Sequence, residues 1–353
     1  MAFVTLGFLS LFFFFDFVEE IQSIGRHAAA GYQLIHALTY VTLMIPSHLY
    51  ELLPIAVLIG TIFVMARFAQ NSEFTILRTS GLGPWRALKT LLMLGLGFVL
   101  LTFAIGDYIS PVADRTGQLL KARFQGSITV GQTGAWLKEK QRYSQFAVNV
   151  SALESDGSMR GVRVFEFDSR GFLISLVQAE TASYGADDAW ILKKVDRTEF
   201  PARATETARI ERMQVDTFRW PNQISAEMVS AALLKPERMS TIDLFQYIRH
   251  LNANGQSAQR YEIEFWKKIF YPLSCLVMVV LALPFAYLHF RSGGIASYVF
   301  GGVMAGISFF LLNNVFGYIG NLQNWQPWLT AALPGMIYSL LSLAAFGWLV
   351  LRR

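Results

Sequence analysis

The sequence predicts a membrane protein with six transmembrane α-helices and an all-β domain inserted between the third and the fourth. Three observations predict it. Of the 353 residues, 53% are hydrophobic and only 16% are charged, and the mean hydropathy of +0.38 is too apolar for an ordinary soluble chain. Apolar runs approaching the roughly 20 residues that cross a bilayer gather before residue 110 and again after residue 268. Between them the pattern changes to period-two alternation: Phe146, Val148 and Val150 against Ala147, Asn149 and Ser151, and Met213, Val215 and Thr217 against Gln214 and Asp216.

Residues 1–15 are apolar and Phe-rich, and Asp16, Glu19 and Glu20 follow, so the first span is long enough to cross only if it continues to about Ile21. The stretch 26–50 is amphipathic at best and reads as an interfacial helix that Pro46 ends or kinks. Span two occupies 51–69, with Pro54 near its start and Arg67 at its exit. The polar interruption 70–84, QNSEFTILRTSGLGP, then reads as a short helix over 71–81. Asn71 or Ser72 caps it, Glu73 lies in its first turn, Arg78 near its last, Gly81 at C′, and Pro84 opens the next helix. Two turns cannot stand alone in water, so this helix is either a capped membrane loop or a docking element for a partner.

Span three covers 85–109. Residues 110–239 carry turn signals at Ser155-Asp156-Gly157, Ser169-Arg170-Gly171 and Gly185-Ala186-Asp187-Asp188, as an antiparallel sandwich or jelly roll requires. Leu119, Leu120 and Ala122 suggest that the helix of span three runs on past Pro111. In the last third, 240–353, a connecting helix runs over 240–255 with Ser240 and Asp243 as a capping box and Asn254-Gly255 as its stop. Trp266, Lys267 and Lys268 read as an interfacial anchor ahead of span four, 269–288. Spans five, 295–320, and six, 328–351, complete the set.

Charge sets the expected orientation. Arg67, Arg78, Arg86 and Lys89 flank one loop, His289 and Arg291 lie in another, Arg352 and Arg353 end the chain, and the loop 321–327 has no charge. Six alternating spans put all three basic regions on one side, which is cytoplasmic, and the β-domain on the other. The net charge of +5, without a Lys/Arg run, gives no reason to expect nucleic acid. Cys275 is the only cysteine, which excludes an internal disulfide and a cysteine metal cluster. Neither a P-loop nor an HExxH or GxSxG motif occurs, so enzymatic chemistry has no support.

Gly302 and Gly306 have the spacing of close helix packing. The Phe-rich runs, Phe12 to Phe15 and Phe309, Phe310 and Phe316, face lipid or core, or line an apolar cavity for a lipid. Asp16, Asn313 and Asn314 are costly at membrane depth and so face protein or a cavity. Arg115, Lys121 and Arg123 are solvated, or attract lipid phosphates.

The stretches ARFAQNSEFTILRTSGLGPWRAL (66–88) and YEIEFWKKIFYPLSCLVMVVLALPF (261–285) resemble the LptF/LptG family of lipopolysaccharide export permeases, and the resemblance extends over nearly the whole chain. The segment LNANGQSAQRY ahead of the second stretch is more similar to the LptG branch. The resemblance implies a bacterial inner-membrane protein with cytoplasmic termini and a periplasmic β-jellyroll. It implies a non-catalytic half of an ABC-type transporter without a cofactor of its own, ATP being bound by the partner. The implied partners are an LptF-like paralogue, a cytoplasmic LptB-like ATPase dimer, an LptC-like single-span protein, an LptA-like periplasmic bridge and lipopolysaccharide. On this chain it places ATPase coupling on Ser72, Glu73, Phe74, Leu77 and Arg78, and a lipid cavity on Phe12, Phe15, Phe309, Asn313 and Phe316.

The chain departs from the family pattern near its start. It opens well inside span one, Asp16 stands at a position that is basic in the family, and Gln22 and Ser23 stand where lysines are common. Phosphate contact then falls to Arg26, Lys121 or Arg123. The competing expectation is a membrane-anchored scaffold or sensor whose β-domain binds a periplasmic partner without transport. An ion-coupled carrier is disfavoured, because no paired acidic or histidine relay recurs in the spans.

Overall fold

Among the described residues, length and apolarity make six helices able to cross a membrane. The computed structural model describes residues 1–27, 31–81, 83–125, 134–141, 144–154, 157–185, 189–201, 209–221, 224, 228–229, 235–284 and 295–348. His289, Arg291, Arg352, Arg353 and the turn residues Ser155, Asp156, Ala186, Asp187 and Asp188 lie outside that set. Two units emerge: a helical one of Met1–Glu20, Val41–Asp114 and Gln259–Arg353, and a second of Ile21–Tyr40 and Arg115–Ala258 that contains the sheet.

The chain begins with α1 (Ala2–His27), α2 (Leu34–Gln70), α3 (Glu73–Thr79) and α4 (Pro84–Ala104). A π-helical segment, Ile105–Ile109, then leads directly into α5 (Ser110–Gln125). After the sheet come α6 (Thr241–Ala253), α7 (Gln259–Ala282), α8 (Ile295–Leu322) and α9 (Pro327–Phe346).

Pro46 does not end its helix. One helix of 37 residues, α2, contains both Pro46 and Pro54, as membrane helices tolerate when neighbouring groups satisfy the freed carbonyls. The strands also begin later than residue 110, because the helix continues through Pro111 to Gln125. In the helical unit, Leu58 and Ile62 of α2 meet Tyr271 and Met278 of α7, Phe309 of α8 and Tyr338 of α9 in one buried cluster. The glycine pair of α8 explains the close approach. A Cβ on Gly302 would lie 2.5 Å from Ile62 Cδ1, and one on Gly306 would lie 2.8 Å from Ile55 Cγ2.

The second unit holds one antiparallel sheet: β1 (Ala135–Lys140), β2 (Ser144–Leu153), β3 (Met159–Asp168), β4 (Leu173–Tyr184), β5 (Ala189–Glu199) and β6 (Glu211–Pro221). Every strand pairs with its neighbours in sequence. The described strands therefore form a meander, without the crossovers of a Greek-key jelly roll. Alternation puts Leu137, Val148, Val150, Val162 and Val164 inside. It then slips by one residue along a line across the sheet. Met159 and Val162, Ala179 and Ala182, and Leu192 and Val195 are buried three apart. Gly161 (φ 62) and Lys194 (φ 52) sit within this line, and Thr181 pairs with both Arg160 and Lys193. The largest core side chain, Trp190, donates from Nε1 to Ile224 O at 2.7 Å.

Local chemistry closes this unit. The Asp168 carboxylate accepts from the backbone N–H groups of Phe172 (2.9 Å) and Arg170 (2.8 Å), and Gly171 takes φ 86. Those bonds, that of Phe172 foremost, hold the Asp168 carboxyl below its ordinary value. The Ser240/Asp243 capping box of α6 is complete, with Asp243 N–H donating to Ser240 Oγ at 3.1 Å and Ser240 N–H to Asp243 Oδ2 at 3.3 Å. Beyond α6, Asn254 Oδ1 accepts from Lys140 N–H at 2.7 Å and Gln256 Oε1 from Lys138 N–H at 3.3 Å. Side chains thus cap the free edge of β1, which would otherwise present unpaired donors.

Candidate functional site

Helix α1 is the most open of the six spans. Among its described side chains only Glu20 is buried, while Phe3, Leu6, Phe14 and Phe15 are all more than half exposed. One stripe of α1, with Phe3, Gly7, Phe8, Leu11 and Phe14 at spacings of four, one, three and three, faces Ile59 of α2 and Val303 of α8 across a cavity of about 550 Å³. The cavity is open and almost wholly apolar. Its only hydroxyl, that of Ser10, already donates to Gly7 O at 2.8 Å. Such a lining can accept hydrocarbon and offers nothing to orient a polar substrate.

The expected cavity residues are placed differently. Phe12 turns away from this stripe and stacks on His48 of α2 at 4.9 Å. Phe15 is 59% exposed and is not part of the lining. Phe309, 2% exposed, packs edge-on against Tyr338 at 5.1 Å and lies 6.2 Å from Tyr271. It is a core residue, because Gly302, Gly306 and Phe309 share the helix face that α2 and α7 approach. Asn313 is half-buried, and Phe316 is half-buried against Trp325 at 6.3 Å. The structure does not gather Phe12, Phe15, Phe309, Asn313 and Phe316 in one lining, and of the run Phe12 to Phe15 it is Phe14 that lines the groove. The sequence signal for the groove is the three-and-four recurrence from Phe3 to Phe14.

Polar side chains tie the spans at one end of the helical unit. His48 Nε2 lies 2.6 Å from Asp16 Oδ2. Ser47 Oγ donates to Asp114 Oδ2 at 2.7 Å and lies 2.5 Å from Ser110 Oγ. Lys268, read from sequence as an interfacial anchor, is instead buried within α7 and donates from Nζ to Gly106 O at 2.8 Å. The π-helical segment supplies that carbonyl, since a wider turn breaks the regular ladder. Lys267 is paired with Glu264 at 2.7 Å. The sequence KK beside Trp266 gives no way to tell which lysine points inward.

The short helix α3 begins at Glu73, whose carboxylate accepts from Asn71 Nδ2 at 2.9 Å. Ser72 sits at φ 57 and so belongs to the turn rather than to an extended cap position. Gly81 at φ 97 and Pro84 at the start of α4 match their expected places. Ile76 and Leu77 are 62% and 44% exposed. The side chains of Phe74 and Arg78 lie outside the described set, as does that of Arg26. In the second unit, Lys121 Nζ stands 4.6 Å over the ring of Tyr40, and Arg123 is exposed.

The family model for the lipopolysaccharide export system permease LptF/LptG matches residues 1–351. The chain belongs to the LptF/LptG family. Curated relatives include the lipopolysaccharide export system permease protein LptG of Escherichia coli strain K12, 27% identical over 340 residues, and that of Haemophilus influenzae, 28% identical over 340 residues. Each alignment covers 96% of this chain and 90% of the relative. Six membrane-capable helices and an inserted antiparallel sheet give this family member the make-up of a multi-pass inner-membrane protein.

Proposed function

We propose that the chain is the LptG-like half of a heterodimeric transporter that extracts lipopolysaccharide from the inner membrane. The observation that carries this reading is the family match over residues 1–351. The apolar groove along α1 supports it, since lipid tails need a dry, unpatterned wall. An LptF-like paralogue supplies the other half. Both termini are cytoplasmic and the sheet lies in the periplasm, an orientation supported by the basic residues of the short loops. From there lipid passes to an LptC-like protein and an LptA-like bridge.

Physical chemistry explains why a partner must supply work. Lipid tails are as apolar as leucine, so an acyl chain moving from bilayer to groove gains no hydrophobic free energy. Extraction is then driven by an LptB-like ATPase dimer that binds the ATP, and this chain is not itself catalytic. The docking element is α3, whose exposed Ile76 and Leu77 need cover outside the bilayer. Ser72, Glu73, Phe74 and Arg78 surround them in sequence. Burying one such side chain is worth about 1.5–3 kcal/mol.

The test is co-purification from mild detergent. The parent chain carries an ATPase with it, and Leu77→Ala and Glu73→Ala each lower the ATPase recovered or uncouple hydrolysis from lipid release. Unchanged ATPase recovery and unchanged export in both variants would remove α3 from the interface. A parent chain that brings down no ATPase at all would favour the scaffold reading instead.

A further inference from the structure

We propose that Asp16 and His48 form a latch that sets the separation of α1 from α2, and through it the width of the groove. Within this chain, α1 buries little of its described surface. Its described side chains are all at least partly exposed except Glu20. Two close approaches to α2 bracket the groove. At one end Met1 packs directly on Gly60, where there is no room for a Cβ. At the other, His48 Nε2 meets Asp16 Oδ2 at 2.6 Å while the Phe12 ring stacks on the same imidazole at 4.9 Å.

The two points are fifteen residues apart on α1, roughly 22 Å at the helical rise of 1.5 Å. Phe3, Phe8, Leu11 and Phe14 all lie between them. Met1 on Gly60 is a van der Waals contact that can slide. The contact at His48 has direction, because an imidazole N–H aimed at a carboxylate is a charge-assisted bond with a preferred distance and angle. Asp16 is thereby partnered at membrane depth, where a lone carboxylate would be costly. Asp16 and His48 are positioning residues: neither lines the groove, and both act through the placement of α1. That the groove takes an acyl chain rests on the proposed function in lipid export. The latch itself does not.

The experiment uses the full chain in lipid nanodiscs, with spin labels on cysteines introduced at Val18 of α1 and Thr42 of α2, both exposed and both at the His48 end of the groove. Cys275 is fully buried and stays unlabelled. Asp16→Ala and His48→Ala are each expected to move the Val18–Thr42 distance distribution to longer values and to broaden it. The exchanged pair Asp16→His/His48→Asp is expected to restore the parent distribution, a rescue that a loss of general packing would not give. His48→Gln keeps an N–H donor at this position and is expected to fall between, which preserves the test should an alanine variant fail to fold. Parent-like distributions in the single variants, or an exchanged pair as broad as the singles, would overturn the latch. A photoreactive side chain at Phe8 tests the other reading separately. Crosslinking to added lipopolysaccharide supports it, and labelling by phospholipid alone refutes it whatever the distances show.

Discussion

Replacing Gly306 by alanine adds one methyl group where α8 lies close against α2. The new Cβ would lie 2.8 Å from Ile55 Cγ2 and 3.5 Å from Ile55 Cβ and Cγ1. Ile55 is buried and β-branched, so its side chain has one strongly preferred rotamer in a helix and cannot swing aside. The backbones must part instead, and such overpacking costs about 1–3 kcal/mol. At Gly302 the near atom is the terminal Cδ1 of Ile62 at 2.5 Å, and the next lies at 3.7 Å. A turn about χ2 of Ile62 moves that terminal carbon, so Gly302→Ala should cost less than Gly306→Ala. Ile55→Ala deletes the clashing methyl and leaves ordinary contact to the new Cβ. The double variant Gly306→Ala/Ile55→Ala should therefore be more stable than the sum of the singles predicts, by about 0.5–3 kcal/mol, the usual coupling of touching residues. Cys275 provides the assay. It is the only cysteine and fully buried against Thr102, so a thiol-reactive dye reports the temperature at which the helical core opens. Additive shifts, or equal losses at Gly302 and Gly306, would refute the reasoning.

Two further outcomes test the second unit. The carboxyl of Asp168 titrates below its ordinary value of 3.8 in the folded chain. Its contribution to stability is therefore present above that value and is lost as pH falls through the lower, folded one. Asp168→Asn should lose stability relative to the parent at neutral pH and should close the gap below about pH 4 in urea unfolding curves. A gap that is constant with pH would rule out this linkage. At α5, the double variant Lys121→Ala/Arg123→Ala should lower lipopolysaccharide-stimulated ATPase activity of the assembled complex more than either single change. Basal activity should hold. Charge-assisted contacts to phosphate are roughly twice as strong as neutral hydrogen bonds but are screened by salt, so equal stimulation at low ionic strength would leave these cations without a phosphate.

What the sequence made legible was local chemistry. The Ser240/Asp243 capping box, Gly81 beyond α3, Pro84 at the start of α4 and Gly302/Gly306 between helices all work through neighbours a few residues away or through absent side-chain volume. Features that depend on a distant partner stayed hidden. Pro46 and Pro54 end helices in water, yet here they lie inside a 37-residue helix. The alternation of the strands revealed their existence but not the slip through Gly161 and Lys194, where a left-handed residue changes which face points inward. Lys268 carries an ordinary interfacial signature until the π-helical carbonyl of Gly106 is placed beside it.

Asp16 meets the same limit at the candidate site. In sequence it is a carboxylate in an apolar run, with two readings open: it faces a cavity, or it faces protein with an unknown partner. His48 is thirty-two positions away in a stretch that reads as interfacial. Only the antiparallel course of α1 and α2, with Met1 at Gly60 and Asp16 at His48, brings them together. Once they meet, Phe12 is committed to the imidazole and leaves the cavity face to Phe8, Leu11 and Phe14. Within this chain α1 buries little of itself, so the directed contact at His48 weighs heavily in placing it. That is the physical reason that a charge replaced at one position of α1 should be felt along the whole groove.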